Sequence, residues 1–155
     1  MNYVIDRGDY FKVRLSSWNK PIVIGEEFAI EVRCNSTAEE ADPGGYGINF
    51  QKNRTEDAGI IFHFKPIAPE STVVFNTLHN KGGRNVWDVE TRIQNDKVKE
   101  IYFSKSFKLK LKPITKSTIL VYVNDSFITE YECKERDITE TDYICFSPSI
   151  SIEKY

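Results

Sequence analysis

The strongest constraint on the fold of this 155-residue chain is an alternation of apolar and polar residues along most of its length. In residues 107–112, phenylalanine and leucine alternate with lysine, and residues 28–33 and 60–65 follow a similar pattern. Successive side chains of a strand point to opposite faces of a sheet, so a period of two predicts strands with one buried face. No segment carries an apolar stripe of helical period over ten or more residues.

Turn signals divide the chain into about ten or eleven short strands. Residues 42–45 (DPGG) predict a turn, and residues 124–126 (NDS) predict a tight hairpin between two alternating runs. Residues 134–142 are charged and are expected to hold a short helical turn. Further strands are predicted at residues 11–15, 46–50, 72–76, 101–103, 143–146 and 149–152. The pattern predicts an all-β fold, a two-sheet antiparallel sandwich or jelly roll, in a single domain over residues 1–155.

Composition and charge exclude several functions. A formal net charge of −2 provides no basic stripe for nucleic acid. No stretch approaches the roughly 20 apolar residues that span a membrane, and the first residues lack the apolar run of a secretory signal. Cys34, Cys133 and Cys145 lie far apart and have no paired metal-ligand spacing, so they are interpreted as free thiols in a reducing compartment.

One stretch of the chain, residues 59–92, concentrates side chains that could bind a ligand. His63 and Lys65 share one face of a predicted strand, and Asn76 ends the next strand. A Gly-Gly loop then leads to Trp87, Glu90 and Arg92. A tryptophan offers a flat surface to the C–H face of a sugar, a carboxylate accepts hydrogen bonds from hydroxyls, and an arginine can hold that carboxylate in place.

Each of these residues also has an ordinary structural explanation. A tryptophan in a β-protein is more often a core residue, and a Glu–Arg pair two residues apart is common on surfaces. Only the combination on one face favours a binding site. Catalysis is not predicted, because the chain has two histidines, no G-x-S-x-G elbow and no convergent pair of acids. We therefore expect a binding protein that is not an enzyme.

The spacing of these residues resembles the galectin carbohydrate-recognition domain. That family's motif reads H-F-N-P-R, then N, then W-G-x-E-x-R, and this chain has HFKPI at residues 63–67, Asn76, and WDVETR at residues 87–92. Residues 45–50 and 119–125 resemble further family strands. The resemblance implies a concave sheet that binds β-galactosides without a metal or a cofactor. It also implies synthesis without a signal peptide, hence a location in the cytoplasm or, after unconventional secretion, outside the cell.

The resemblance also implies a role for each matching residue. His63 would bond the axial 4-hydroxyl of galactose, and Trp87 would stack under the sugar ring. Asn76 and Glu90 would contact the 6-hydroxyl, with Arg92 supporting Glu90. The partners expected on this basis are galactose-containing glycans or glycoconjugates, and the sequence leaves open whether the chain pairs as a homodimer.

Two residues depart from the motif. Lys65 replaces the family's asparagine and Ile67 replaces its arginine, and isoleucine donates no hydrogen bond. Losing a charged hydrogen bond costs on the order of 1.5–3 kcal/mol, so weakened or shifted glycan binding is expected. The predicted loop between Asn76 and Trp87 is about four residues longer than usual in the family and brings Arg84 to the rim, as a substitute guanidinium or as part of a cover. The alternative is a galectin-fold module that binds proteins and has little lectin activity.

Overall fold

Two antiparallel β-sheets form the protein. The computed structural model describes residues 4–5, 11–34, 47–67, 70–98, 101, 105–147 and 150–154. The strands are β1 (Val4–Ile5), β2 (Phe11–Arg14), β3 (Phe28–Cys34), β4 (Ile48–Gln51), β5 (Ile60–Ile67), β6 (Thr72–Lys81), β7 (Arg84–Trp87), β8 (Thr91–Gln94), β9 (Ser106–Pro113), β10 (Thr118–Val123), β11 (Ser126–Glu132), β12 (Tyr143–Phe146) and β13 (Ile150–Lys154). A one-turn helix, α1 (Leu15–Trp18), and two 3-10 turns, Glu56–Ala58 and Ile138–Glu140, complete the described elements.

The strand order places the middle of the chain at one end of the larger sheet. That sheet runs β1-β2-β12-β4-β5-β6-β7, and β8 also pairs with β6. The smaller sheet runs β11-β10-β9-β3-β13. All described strand pairs are antiparallel, which confirms the predicted all-β, two-sheet architecture.

Aromatic rings fill the space between the sheets. Phe62 packs on Phe50 and Phe75 with ring centroids 5.3 and 5.8 Å apart, and Tyr131 of the smaller sheet stacks on Phe75 at 5.7 Å. The Tyr131 hydroxyl also lies 2.7 Å from Oγ1 of buried Thr77. Because the phenylalanines of β5 and β6 point inward, their neighbours on both strands point to the outer face of the larger sheet.

Several local predictions are confirmed. Asn124 and Asp125, with φ of 48° and 64°, form the two-residue turn between β10 and β11, a conformation that these residue types tolerate. The charged segment after β11 contains the 3-10 turn Ile138–Glu140, as expected. The predicted turn at residues 42–45 lies outside the described residues, as do Tyr46, Phe103 and Ser149.

Other local predictions are wrong. The strand predicted over residues 11–15 ends at Arg14, and Leu15 begins α1. Asp142 causes this change, because its backbone oxygen accepts a hydrogen bond from Leu15 N at 2.7 Å and its Oδ1 accepts one from Ser16 N at 3.1 Å. Ile101, predicted to lie in a strand, is buried and has helical backbone geometry.

The predicted loop between Asn76 and Trp87 is a β-hairpin. Strand β6 continues to Lys81, Gly82 and Gly83 turn with φ of 59° and 82°, and β7 returns to Trp87. Two consecutive residues with positive φ suit the right-handed twist of a two-residue hairpin. The segment between Asn76 and Trp87 therefore extends the sheet as two paired strands and does not form a cover over it. No helix in the described part of the chain is long and apolar enough to cross a membrane.

Candidate functional site

A groove of about 420 Å³ crosses the outer face of the larger sheet at β5–β8. Its lining residues are His63, Lys65, Ile67, Val74, Asn76, Trp87, Asp88, Glu90 and Arg92. Six of the seven residues predicted for the site from the sequence alone therefore line this one groove. Arg84, the seventh, is not among the lining residues.

Strand pairing fixes the floor of the groove. His63 lies opposite Asn76, and Lys65 lies opposite Val74, which in turn pairs with Arg92 on the far side of β6. Directly opposed residues of antiparallel strands point to the same face. The alternation in β5 that buries Phe62 and Phe64 therefore directs His63, Lys65 and Ile67 outward along one line.

Trp87 forms one wall of the groove. It ends β7, opposite Leu78 of β6, and its side chain is about half exposed, at 48%. Its ring centroid lies 5.2 Å from that of His63, with the ring planes tilted by 58°. An exposed indole beside a hydrogen-bonding ring gives the groove an apolar surface next to a polar one.

The link between β7 and β8 presents Glu90. Asp88 N donates a hydrogen bond to Thr77 O at 3.0 Å, and Asn76 Nδ2 donates to Asp88 O at 3.0 Å. Asn76 Oδ1 also accepts a bond from Thr77 N at 2.8 Å. The Asn76 amide thus holds the link in place and retains one N–H and one lone pair for a ligand.

Arg92 connects two carboxylates. Its Nε donates to Glu90 Oε1 at 2.8 Å, and its Nη1 donates to Glu70 Oε2 at 3.0 Å. The hydrogen bond with Glu90 is the main cause that raises the pKa of Arg92. The guanidinium therefore orients Glu90, whose second carboxylate oxygen has no partner among the described residues.

The profile of the galactoside-binding lectin family matches residues 30–154, which is most of the chain and includes the whole groove. The chain belongs to this family, the galectins. Among solved structures, a double-substituted variant of human galectin-16 has a TM-score of 0.66 and 16% identity, with 99% of this chain and 96% of that chain covered.

Two further galectin structures share the fold. Sheep galectin-11, solved in complex with glycerol, has a TM-score of 0.64 and 16% identity, with 96% of this chain and 97% of that chain covered. A Caenorhabditis elegans galectin, LEC-6, has a TM-score of 0.63 and 18% identity, with 98% and 92% covered. These likenesses confirm the predicted jelly-roll sandwich of the galectins. No curated protein sequence matches the chain significantly.

Burial keeps His63 of this galectin neutral. Desolvation is the main cause that lowers its pKa to about 4, the nearby ammonium of Lys65 lowers it further, and Glu90 opposes both. His63 Nδ1 lies 2.5 Å from Asn49 Oδ1. Because an amide oxygen can only accept, Nδ1 carries the proton, and Nε2 of the neutral ring is left as an acceptor.

We expect the His63 imidazole to titrate near pH 4 in an NMR experiment, well below the ordinary value of about 6.5. In Lys65→Met the midpoint should move upward, because one of the charges that opposes protonation is removed. The unfolded chain binds more protons than the folded one between about pH 4 and 6.5, so the free energy of unfolding should fall as the pH drops through that window. A wild-type midpoint near 6.5 would contradict this description of the site.

Arg84 lies apart from the groove. It pairs with Lys81 beside the Gly82–Gly83 turn and is not among the groove-lining residues. The lengthened β6–β7 segment carries the guanidinium to the hairpin tip. His79, on the reverse face of the hairpin, contacts Asp88 Oδ2 through Nε2 at 3.3 Å.

Three residues that position or line the groove were not predicted from the sequence. Asn49 is 2% exposed and orients His63. The only feature of the sequence that could have indicated this role is the presence of an amide side chain in β4, the strand before the one that carries His63. Glu70 holds Arg92 from 22 residues away, and no sequence pattern indicates that pairing. Asp88 lines the groove, and its backbone oxygen accepts a hydrogen bond from the Asn76 amide.

The arrangement is suited to binding polyols. Within the described residues no group of three or more histidines, cysteines or acids could hold a metal ion. The groove offers an acceptor in His63, a carboxylate in Glu90, an amide in Asn76 and an apolar ring in Trp87. These groups can pair with the hydroxyls and the C–H face of a saccharide at neutral pH.

Proposed function

We propose that the protein is a lectin that binds β-galactosides in the groove of the larger sheet. The observation that carries this proposal is the convergence of His63, Trp87 and Glu90 on one groove in a galectin fold. The sugar ring stacks on Trp87, His63 Nε2 accepts from the axial 4-hydroxyl, and Glu90 accepts from the 6-hydroxyl. Asn76 contributes its remaining amide hydrogen, and Arg92 keeps Glu90 oriented.

The proposed affinity is lower than a complete galectin motif would give. Ile67 lies in the groove where the family motif has an arginine, and it presents only apolar atoms. The missing charged hydrogen bond corresponds to about a tenfold to hundredfold loss in affinity. Arg84 does not replace it in this proposal, because its side chain lies outside the groove.

A titration with lactose tests the proposal, and cellobiose is the matched control because it differs from lactose only in the configuration at one carbon, C4. We expect lactose, but not cellobiose, to shift the NMR signal of the Trp87 indole N–H. If both sugars shift it equally, the 4-hydroxyl is not recognised by His63. If neither does so at millimolar concentration, and partner capture is insensitive to every sugar, the protein is an interaction module instead.

We also propose that residues 1–155 act as one carbohydrate-recognition domain in the cytoplasm or, after unconventional export, outside the cell. Cys133 and Cys145 are buried thiols, and burial raises the pKa of each to about 12. Protonated, buried thiols are unreactive. This fits a domain that needs no disulfide.

A further inference from the structure

Lys65 is the one groove-lining cation that has no partner among the described residues. It is half-buried on β5, and no residue in the described part of the chain forms a hydrogen bond or an ion pair with its ammonium group. The other groove cation, Arg92, contacts two carboxylates. A half-buried ammonium has lost part of its hydration, so it gains from any acceptor that a ligand brings.

The described neighbours of Lys65 on β5 and β6 supply no negatively charged acceptor. Its cross-strand neighbour is Val74, and the next outward residue on β5 is Ile67, both apolar. His63 is neutral, so its remaining acceptor, Nε2, carries no charge. This part of the groove therefore combines an apolar floor with one unmatched positive charge.

The described acidic groups of the groove make their contacts with side chains other than Lys65. Glu90 and Glu70 share Arg92, and Asp88 contacts His79 and also Lys134 Nζ at 3.6 Å. Val74 separates Lys65 from Arg92, which places their backbones about 10 Å apart across two strand spacings. Among the described residues, none of these carboxylates forms an ion pair with Lys65.

Building on the proposed function, we propose that the groove selects β-galactosides that carry an anionic substituent, a sulfate ester or a carboxylate, which binds the ammonium group of Lys65. A neutral hydroxyl could accept one hydrogen bond from Lys65. An anionic oxygen adds charge attraction in a site that is partly shielded from water, and charge-assisted bonds of this kind are about twice as strong as neutral ones.

The strand order indicates where the anionic group lies on the ligand. Along β5 and β6, the pair Leu78 and Trp87 is followed by Asn76 with His63, and then by Val74 with Lys65. Lys65 is about 7 Å beyond His63, on the side away from Trp87. A galactose that stacks on Trp87 therefore brings its far edge, or the sugar linked to it, over Lys65.

Calorimetric titrations with lactose, sulfated lactose isomers and sialylated lactose test this inference. We expect the protein to bind lactose and to bind at least one anionic form about threefold to thirtyfold more tightly, with a preference that weakens as salt is raised. Comparing the affinities for sulfated and for sialylated lactose shows whether a sulfate ester or a carboxylate is preferred. Lys65→Met, which keeps most of the apolar stem, should bring the ratio of the anionic-sugar affinity to the lactose affinity down to about one, because only the charged group is removed.

Lys112→Met is the matched control, because Lys112 lies on β9 of the other sheet. It should retain the full preference for the anionic sugar. The inference is overturned if lactose binds and no anionic form binds more tightly, or if Lys65→Met, folded by thermal melting, keeps the preference. Absence of binding to all the saccharides would instead defeat the proposed function, and this inference with it.

Discussion

Trp87→Ala is expected to lower the affinity for lactose by roughly thirtyfold or more, which corresponds to about 2–4 kcal/mol of binding free energy. The indole forms a wall of the groove, is 48% exposed and contacts the ring of His63. A tryptophan loses little conformational freedom when a sugar stacks on it, so most of the buried apolar area contributes to binding. Calorimetry or NMR titration would measure the change.

Phe127→Ala provides the matched control for this substitution. Phe127 is an exposed aromatic residue, at 54%, and it lies in β11 at the edge of the other sheet. Its removal should leave the lactose affinity unchanged. If Trp87→Ala binds lactose as the wild type does, or if both variants lose affinity equally, the groove is not the sugar site.

The part of the site that sequence reasoning predicted is the part that strand alternation controls. Once Phe62 and Phe64 are assigned to the core, His63 and Lys65 must share the opposite face. Pairing between β5 and β6 then brings Asn76 beside His63, as the structure shows. The same reasoning correctly gave two antiparallel sheets, because each strand has one apolar face to bury.

The β6–β7 hairpin was not predicted, because its strands extend past the core. Asn80, Lys81, Arg84 and Asn85 are all exposed, so no buried face imposes the alternation that marks a strand. The α1 turn was missed for a different reason. Its first two N–H groups bond to Asp142, a contact between residues far apart in the chain that no local pattern reveals.

A glycine in the strand connection before β5 supports the position of Trp87. Gly59 has φ of 78° and ψ of −166°, a region that residues with a side chain rarely adopt. A Cβ at this position would lie 2.0 Å from the backbone oxygen of Leu78, and it would also meet Arg136 Nη1 at 2.8 Å. Leu78 pairs with Trp87, and its oxygen already accepts a hydrogen bond from Arg136 at 3.1 Å.

We therefore expect Gly59→Ala to lower the free energy of unfolding by about 3 kcal/mol or more, measured by urea or thermal denaturation. Neither the Leu78 carbonyl nor Gly59 can move without disturbing β6 and hence Trp87, so lactose binding should weaken as well. Gly25→Ala is the matched control, since Gly25 has φ of 85° and no atom within 4 Å of the added Cβ. That variant should lose only about 1–2 kcal/mol from the backbone conformation and bind lactose normally. If the two variants lose equal stability, the prediction is wrong, because the close approach of the added Cβ to Leu78 would then not lower the free energy of unfolding beyond the effect of the positive φ.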